Sequence, residues 1–521
     1  MGVMKTPGVY IKEKNAFPNS VVEVATAIPA FIGHTRIADN RNKPLSMKPW
    51  RISSMAEYHQ YFGDGPAPRF EIVEKPESVA QAAFTAQGKE YVLKQQDGAQ
   101  GGNYLLYTAL RHFYMNGGGP CYIVSVGNYQ QDLDVEKFAA GIDELLKEQE
   151  PTMLVIPDAV KLGRENCKTL QQKMLQHCGY EMRNRVAILD VFDGYKTRKD
   201  PDGDPVENFR GDLGINYLDF AAAYYPWLNT SVIGDKEVSY ENIANADALK
   251  TLLSADLNLL EPPADDASDK DKIRYKDLTA ALDHVVSNWK DDTSTKPDDI
   301  DTSKALLNKT LLSCSPLYKT VLDEVKFQLN QLPPSAAMAG IYTMVDNTRG
   351  VWKAPANVSL SGVNSPTVSI SAVDQEDLNV TAQGKSINAI RSFIGEGVLV
   401  WGARTLDGNS LDWRYVNVRR TMIMLEESCR LAAKALVFEP NVANTWVTIR
   451  SMIQNFLTGI WKRGGLAGAS PEDAFSVHVG LGDTMTPEDI LEGILRVTVL
   501  VAMVRPAEFI EITFQQQMQK S

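Results

Sequence analysis

The sequence predicts a multidomain α+β protein, in which an α/β domain is inserted between an N-terminal arm and a C-terminal α+β core domain. Strand and helix patterns alternate from residue 105 to residue 190, which is typical of an α/β domain. Two helical patterns with single apolar stripes, between residues 418 and 460, indicate a second core. At 521 residues the chain is also too long for one ordinary core.

The first residues predict a strand and an extended arm. Val9 and Ile11 alternate with Tyr10, so one face of an extended chain is apolar. Residues 13–30 show no steady period, and about ten extended residues span roughly 33 Å. We therefore assign residues 1–29 to an arm that is long enough to reach a neighbouring molecule.

Residues 30–384 are assigned to the inserted region. Apolar residues from Leu105 to Phe113 form one face of a helix, and CYIVSV at 121–126 is typical of a buried strand. The other predicted elements are strands at 152–157 and 185–190 and helices over 134–148 and 165–179. Strands that alternate with helices imply crossover units and a parallel sheet covered on both faces.

Parallel sheets often carry enzymes, so the glycine-rich segments have to be compared with phosphate sites. The triple glycine at 117–119 precedes a strand, and it lacks the lysine and the serine or threonine of a phosphate loop. A phosphate site needs its glycines between a strand and a helix, where the helix N-terminus faces the anion. We predict a helix stop followed by a tight turn, and no cofactor site.

The acidic segments predict turns. Asp200–Asp204 has acidic residues at the spacing of the first ligands of a calcium loop, but Pro205 occupies the place of the required glycine. Asp190 and Asp193 end a predicted strand, and the sequence places no histidine or second carboxylate beside them. We predict no catalytic residue, no metal site and no enzyme activity; a casual cation site at 200–204 stays open.

The chain between about 230 and 330 has a different composition. Segments rich in Asp, Ser and Pro at 262–272 and 291–304 bracket a helical pattern at 278–289. We expect the two segments to be loops that face water, within an outer insertion that faces solvent.

Residues 385–521 are assigned to the C-terminal core domain. Apolar residues recur at steps of three and four over 418–436 and 446–460, which predicts two amphipathic helices. Strand patterns at 475–480 and 492–504 offer a surface on which both stripes can be buried. The sequence thus predicts a compact α+β unit here.

The end of the chain predicts a second outward strand. Ile510, Ile512 and Phe514 alternate with polar residues, and a strand at a chain end leaves a row of unpaired amide and carbonyl groups. Such an edge pairs either with another chain or within its own domain, and both alternatives stay open. The residues assigned to the two outward strands are Val9, Tyr10, Ile11, Phe509, Ile510, Ile512 and Phe514.

The composition argues against several functional classes. A net charge of -12 argues against a protein that coats nucleic acid, because phosphate binding needs a basic surface. No apolar run is long enough to span a membrane, and the first residues lack the pattern of a signal peptide. We expect a protein that is made in the cytoplasm and that does not insert into a membrane.

Several short segments, taken in order, carry a family resemblance. They are TPGVYI at 6–11, AAAYYPW at 221–227, GVWKAPAN at 350–357, GVLVWGARTL at 397–406, WRYVNVRR at 413–420, FEPN at 438–441 and VRPAEF at 504–509. Together they resemble contractile tail sheath proteins, the family of phage tail sheaths and of the sheaths of phage-derived contractile injection systems. The resemblance is thinnest at 230–330, where the family varies most.

The resemblance implies a structural subunit that polymerises helically, as stacked rings, around an inner tube. Contraction of the polymer would drive the tube through a target cell envelope. In the family the terminal strands are swapped between the C-terminal domains of neighbouring subunits, which gives the two outward strands a role. No nucleotide is needed for a stroke whose energy is stored during assembly.

The resemblance also implies partners and a location. The partners are further copies of the chain, an inner tube protein, and baseplate and terminal cap proteins, with no nucleic acid. The particle is a phage tail or a tail-like injection particle, made in the bacterial cytoplasm and released by lysis. Because the C-terminal domain lines the inside, Lys462 and Arg463 are candidate tube-facing residues; the alternative is that both are ordinary cations at a helix C-terminus.

Two other classes remain open at this stage. One is an α/β enzyme or small-molecule binding protein whose site the sequence does not reveal. The other is a different polymeric shell protein, such as a surface-layer or capsid protein, which would form sheets or shells instead of tubes.

Overall fold

The computed structural model describes residues 21–79, 81–289 and 297–513. The predicted strand at Val9, Tyr10 and Ile11, and Phe514 at the other end, lie outside the described residues. The described chain forms two compact units. The larger unit comprises the described residues between 27 and 347 and residues 355–416, and the smaller unit comprises residues 21–26, 348–354 and 417–513.

The described helices are α1 (Met55–Phe62), α2 (Leu106–Met115), α3 (Val135–Glu144), α4 (Arg164–Gln176), α5 (Pro205–Asp212), α6 (Ala246–Asp256), α7 (Asp269–Ser287), α8 (Pro297–Cys314), α9 (Pro316–Leu329), α10 (Ser335–Arg349), α11 (Ala372–Asn379), α12 (Val416–Lys434), α13 (Ala443–Lys462), α14 (Pro471–Ala474) and α15 (Pro487–Leu491). The predicted helices near 105–113, 134–148, 165–179, 418–436 and 446–460 correspond to α2, α3, α4, α12 and α13.

The described strands are β1 (Pro29–Thr35), β2 (Asp39–Asn40), β3 (Lys43–Pro44), β4 (Trp50–Ile52), β5 (Phe70–Glu74), β6 (Phe84–Ala86), β7 (Lys89–Gln95), β8 (Cys121–Asn128), β9 (Met153–Val155), β10 (Val186–Asp190), β11 (Ala221–Tyr225), β12 (Leu228–Thr230), β13 (Gln331–Leu332), β14 (Val358–Ser359), β15 (Val363–Pro366), β16 (Asn388–Phe393), β17 (Gly397–Val400), β18 (Phe475–His478) and β19 (Thr498–Val501).

A nine-stranded sheet is the centre of the larger unit, in the order β14-β17-β16-β11-β10-β9-β1-β8-β4. The six strands from β16 to β8 are parallel, as the alternation of strands and helices predicted, and the strands outside them are antiparallel. Every residue of β1, β9, β10 and β11 is buried. Continuous apolar runs of this kind are what strands buried on both faces require.

The first strand of the sheet along the chain, β1, lies between β8 and β9. The chain therefore adds strands on one side of β1 and then on the other, so the strand order reverses beside it. In doubly wound sheets this reversal, at the carboxyl ends of the strands, is the usual place for a ligand. It is the place at which an enzyme site would be expected.

The outer insertion has its own hydrophobic core, and this corrects one prediction. The segments at 262–272 and 291–304 were predicted to be water-facing loops. Residues 262–268 do form a loop and residues 291–296 lie outside the described residues, but α7 begins at Asp269 and α8 at Pro297. Ser268 caps α7 by accepting a hydrogen bond from the backbone N–H of Asp271, so serine and aspartate here start a helix. The buried residues of this core include Phe70, Leu93, Leu249, Leu253, Leu282, Leu307, Leu311, Tyr318 and Val325.

The smaller unit is built on α12, α13 and the two-stranded sheet of β18 and β19, in agreement with the predicted helices and strands. Its core includes Met424, Leu425, Ile449, Ile453, Leu457 and Ile460, together with Val351 and Trp352 from the segment 348–354. Gly464 ends α13 with a φ of 81°, and the N–H of Gly465 donates to the carbonyl of Ile460 at 3.0 Å. Glycine suits this left-handed position after a helix.

The boundary of the C-terminal unit differs from the predicted one at residue 385. β16 pairs in parallel with β11, and β17 pairs with β16, so residues 388–400 complete the nine-stranded sheet of the larger unit. The smaller unit begins at residue 417. Strand pairing joins residues that are far apart in the chain, and a local apolar pattern carries no information about that choice of partner.

Candidate functional site

The last described residues expose large apolar side chains. Residues 505–513 have no regular secondary structure. The exposed fraction is 75% for Phe509, 79% for Ile510 and 70% for Ile512. Neighbouring exposed apolar side chains are typical of a surface that another molecule covers. The structure thus places these three predicted assembly residues at an exposed end of the smaller unit.

The sheet of the smaller unit has two strands among the described residues. β18 and β19 pair antiparallel from Phe475 with Val501 to His478 with Thr498. A two-stranded sheet is marginal in water, and its edges carry amide and carbonyl groups that can accept a further strand. Leu500, on β19, has an exposed fraction of 59%. This sheet is therefore suited to extension by another extended segment.

The N-terminal segment is anchored to the helices of its own unit just before the larger unit begins. The N–H of Val24 donates to Oγ of Ser428 at 3.1 Å, and Nη2 of Arg420 donates to the carbonyl of Thr26 at 2.9 Å. These contacts join residues about 400 positions apart in the sequence, and no local pattern could have revealed them. They hold residues 24–26 on the same helix, α12.

The two candidate tube-facing residues have different surroundings. Arg463 forms an ion pair with Glu23, and its guanidinium lies 5.2 Å from the centre of the Trp352 ring. Lys462 is exposed and has no ion pair within the described part of the chain. Arg463 therefore holds the N-terminal segment against α13, whereas Lys462 offers a free cation at the surface.

The carboxyl edge of the parallel sheet holds a buried carboxylate that the sequence analysis did not single out. Asp158 follows β9, is fully buried, and accepts a hydrogen bond from the N–H of Leu105 at 2.5 Å, at the start of α2. A Cβ atom on Gly33, in β1, would lie 2.7 Å from its Oδ2. Burial raises the pKa of Asp158 to about 7, although the amides of Leu105 and Leu106 lower it.

Asp158 occupies the position at which nucleotide-binding sheets commonly hold a phosphate. Nucleotide-binding sheets put a phosphate at the N-terminus of the helix that follows the first strand. Here the carboxylate of Asp158 lies at the N-terminus of α2, and Leu106 and Gly33 leave no further space beside it. The protein fills the anion position with its own side chain.

Asp190, at the end of β10, has a structural role that differs from the predicted turn. Its carboxylate accepts hydrogen bonds from the backbone N–H and the hydroxyl of Ser335, at 2.8 and 2.5 Å. Ser335 is the first residue of α10, so Asp190 caps that helix from a buried position. Burial raises the pKa of Asp190 to about 7, and the two bonds from Ser335 lower it.

The acidic segment at 200–204 is neutralised by cationic side chains. Nζ of Lys196 lies 2.9 Å from the carboxylate of Asp202 and 3.2 Å from that of Asp193. Asp204 caps α5 and accepts a hydrogen bond from Nε of Arg198 at 2.8 Å. The ammonium group of Lys196 thus lies beside the acidic segment at which the sequence analysis left a cation site possible.

The described residues contain no group of three or more His, Cys, Asp or Glu side chains arranged to hold a metal ion. Within 21–79, 81–289 and 297–513, no helix combines the length and the apolar content that crossing a bilayer requires.

The C-terminal part of the chain matches a known protein family. The family model for the phage tail sheath C-terminal domain matches residues 409–517. The tail sheath protein of Vibrio phage KVP40 is 27% identical over 152 residues, which are 29% of this chain and 22% of that protein. The tail sheath protein of Enterobacteria phage T4 is 22% identical over 189 residues, or 36% of this chain and 28% of that protein.

Solved structures match nearly the whole chain. The helical sheath of the anti-feeding prophage, in its contracted state, has 26% identity and a TM-score of 0.58, and the match covers 99% of this chain and 100% of that one. The chain is therefore similar to contractile tail sheath proteins along nearly its whole length. The contracted sheath of the PVC extracellular contractile injection system, with 26% identity and a TM-score of 0.57, covers 99% of both chains.

The two kinds of comparison differ in how much of the sheath relatives they cover. The aligned segments span less than a third of the curated phage sheaths from KVP40 and T4, but all or nearly all of the two injection-system sheaths. The segment matched by the family model contains α12, α13, β18, β19 and the exposed Phe509, Ile510 and Ile512. The exposed C-terminal segment and the two-stranded sheet therefore both lie in the segment that the family model recognises.

Proposed function

We propose that this chain is the subunit of a helical polymer that surrounds an inner tube and contracts to drive that tube through a target cell envelope. The observation that carries the proposal is the end-to-end likeness to two contractile sheaths in their contracted state. The exposed C-terminal segment and the two-stranded sheet support polymerisation. The position of Asp158 in the larger sheet supports a stroke without nucleotide.

Polymerisation rests on strand exchange between copies. The segment that carries Phe509, Ile510 and Ile512 pairs as a strand on the open sheet edge of a neighbouring subunit. Each backbone hydrogen bond made this way contributes a net stabilisation of about 0.5–1.5 kcal/mol, and burial of the three side chains adds about 25 cal/mol per Å². Val9, Tyr10 and Ile11 supply the second exchanged strand.

The anchor at residues 24–26 sets the reach of the N-terminal strand. The 20 residues before Val21 span at most roughly 70 Å when extended. The contacts of Val24 and Thr26 with α12 keep the base of the arm on its own subunit. Residues 1–29 therefore act as a tether from one subunit to the next, as proposed from the sequence.

Contraction requires subunits to exchange one set of interfaces for another while the tethers stay paired. Rigid-body movement about flexible links is a known route for such transitions. A free-energy difference of a few kcal/mol per subunit, summed over a long tube, is enough to complete the change. The carboxylate of Asp158 at the N-terminus of α2 is consistent with a stroke that uses no nucleotide.

The partners proposed for the polymer are further copies of the chain, an inner tube protein, and baseplate and terminal cap proteins. Lys462, exposed and free of ion pairs in the described structure, is the better of the two candidate tube contacts, because Arg463 is engaged with Glu23. We further propose that the subunit is made in the bacterial cytoplasm and acts in a phage tail or tail-like particle.

The proposal is tested by negative-stain electron microscopy of the full chain, alone and with its presumptive tube protein. Hollow cylinders of uniform width, in a longer and a shorter, wider form, are the expected result. Sheets or closed shells would indicate another polymeric shell, and monodisperse single particles under both conditions would contradict the proposal.

A further inference from the structure

A small cleft in the larger unit lies between the sheet and the outer insertion. It is lined on the sheet side by Lys161, which follows β9, and by Thr108 of α2, and on the insertion side by Gln328 and Gln331. The space open to water-sized molecules is about 100 Å³. That is room for several waters or one small ion, and it is below the roughly 300–1,000 Å³ typical of sites for larger ligands.

Part of this lining is already satisfied by internal contacts. Arg111 forms an ion pair with Glu237 at 2.5 Å and donates to the carbonyl of Val232. Gln328 donates to the carbonyl of Leu93 and to Glu324. These groups balance one another and hold the walls of the cleft in place.

Other lining side chains have no partner. Within the described residues, the ammonium of Lys161 makes no hydrogen bond or ion pair, and the side chains of Asn103, Thr108 and Gln331 make no hydrogen bond. All four are able to donate: an ammonium, two primary amides and a hydroxyl. Since Arg111 and Glu237 cancel, the lining carries one net positive charge, on Lys161.

The nearest buried carboxylate makes no hydrogen bond or ion pair with Lys161. Asp158 receives its hydrogen bond from the N–H of Leu105, and it attracts Lys161 only through space. Burial lowers the pKa of Lys161, and the charges of Asp158 and Asp193 offset only part of that effect. A half-buried cation without a partner is costly, and an anion that accepts its hydrogen bonds removes that cost.

We propose that this cleft binds one small oxyanion, such as inorganic phosphate, through Lys161, Thr108, Asn103 and Gln331. The anion accepts hydrogen bonds from both walls. It thereby joins the segment after β9 and the N-terminal part of α2 to β13, which returns from the outer insertion. The oxyanion thus fastens the insertion to the sheet, and its site is distinct from the position filled by Asp158.

The test is isothermal titration of the full chain with sodium phosphate, against sodium chloride at the same ionic strength. Wild-type protein is expected to bind phosphate saturably. Lys161→Met is expected to weaken binding at least about tenfold, since a hydrogen bond to a charged group contributes about 1.5–3 kcal/mol. Thr108→Val keeps the shape of the wall and removes one neutral donor, so it is expected to weaken binding about two- to tenfold.

Lys147→Met is the matched control, because it removes the same charge from a side chain that is 82% exposed and lies outside the cleft. It is expected to bind phosphate like wild type. Sedimentation checks that the wild type and the three variants have the same assembly state. Equal signals with chloride, or equal phosphate binding by wild type and Lys161→Met, would overturn the proposal. If Lys161→Met does not fold, unchanged binding by Thr108→Val does so.

Discussion

The two units of this chain differ in how far their strands and apolar side chains are buried. In the larger unit the strands of the sheet are buried, Asp158 fills the anion position, and Asp190 caps α10. In the smaller unit a two-stranded sheet keeps open edges, and Ile510 and Ile512 are exposed. The larger unit covers its sheet with its own elements, whereas the end of the smaller unit leaves large apolar side chains exposed.

The largest expected effect comes from replacing the exposed apolar side chains at the end of the smaller unit. In the variant Ile510→Glu with Ile512→Glu, the terminal strand loses its apolar contacts and places two charges against a neighbour, so polymerisation should be abolished while the monomer stays folded. Negative-stain microscopy and thermal unfolding measure the two properties. Leu260→Glu, at a site in the larger unit that is 67% exposed, is the control and should still form tubes. Normal tubes from the double variant would contradict the role of this strand.

A matched pair of core substitutions sharpens the same contrast. Leu457 in the smaller unit and Leu311 in the outer insertion are both fully buried, and either change to Ala should cost about 2–5 kcal/mol of unfolding free energy. Leu457→Ala should also raise the concentration needed for polymerisation, because it loosens the unit that carries the open edges. Leu311→Ala should leave that concentration unchanged. Denaturant unfolding and sedimentation test this, and equal effects on assembly would show that the insertion also takes part.

The larger unit should show a pH dependence of stability that arises from its buried carboxylate. The folded-state pKa of Asp158, about 7, is above the ordinary value of 3.8 for an aspartate, so between these values the folded state binds the proton more tightly. Stability from this group is therefore present below about pH 4 and is lost as pH rises through 7, with a slope of at most about 1.4 kcal/mol per unit.

Asp158→Asn removes this titration and keeps an oxygen that accepts from the N–H of Leu105. The melting temperature of the variant, relative to wild type, should therefore rise as the pH increases from 5 to 8. A difference that does not change with pH would refute the assignment.

The smallest expected effects separate Lys462 from Arg463. Arg463→Ala removes the ion pair with Glu23 and the contact with Trp352, and should cost about 0.5–1 kcal/mol. Lys462→Glu breaks no ion pair among the described residues but places a negative charge at the C-terminus of α13, so it should cost about 0.3–1 kcal/mol. If Lys462 faces the tube, this reversal lowers the amount of tube protein that co-sediments with the sheath. Unchanged co-sedimentation would remove Lys462 from the proposed tube contacts.

Local patterns in the sequence were sufficient for elements whose burial follows a regular period. The apolar stripes predicted α2, α12 and α13, and the continuous apolar runs predicted β8 and β10, because side-chain periodicity is a property of neighbouring residues. The same patterns assigned no element to residues 30–36, most of which form the buried strand β1. Neither did they identify α8, whose polar first turn resembles a loop in composition.

The sequence by itself determined the class of this protein: the helices and strands with a regular apolar period, the acidic charge and the ordered segments that resemble contractile sheaths. Only the tertiary structure decided which parts belong together. It joined β16 and β17 to the larger sheet, placed Asp158 at the N-terminus of α2, and fixed Val24 to Ser428. The physical reason is that these contacts join residues distant in the chain, and their geometry depends on the packed fold and not on any local period.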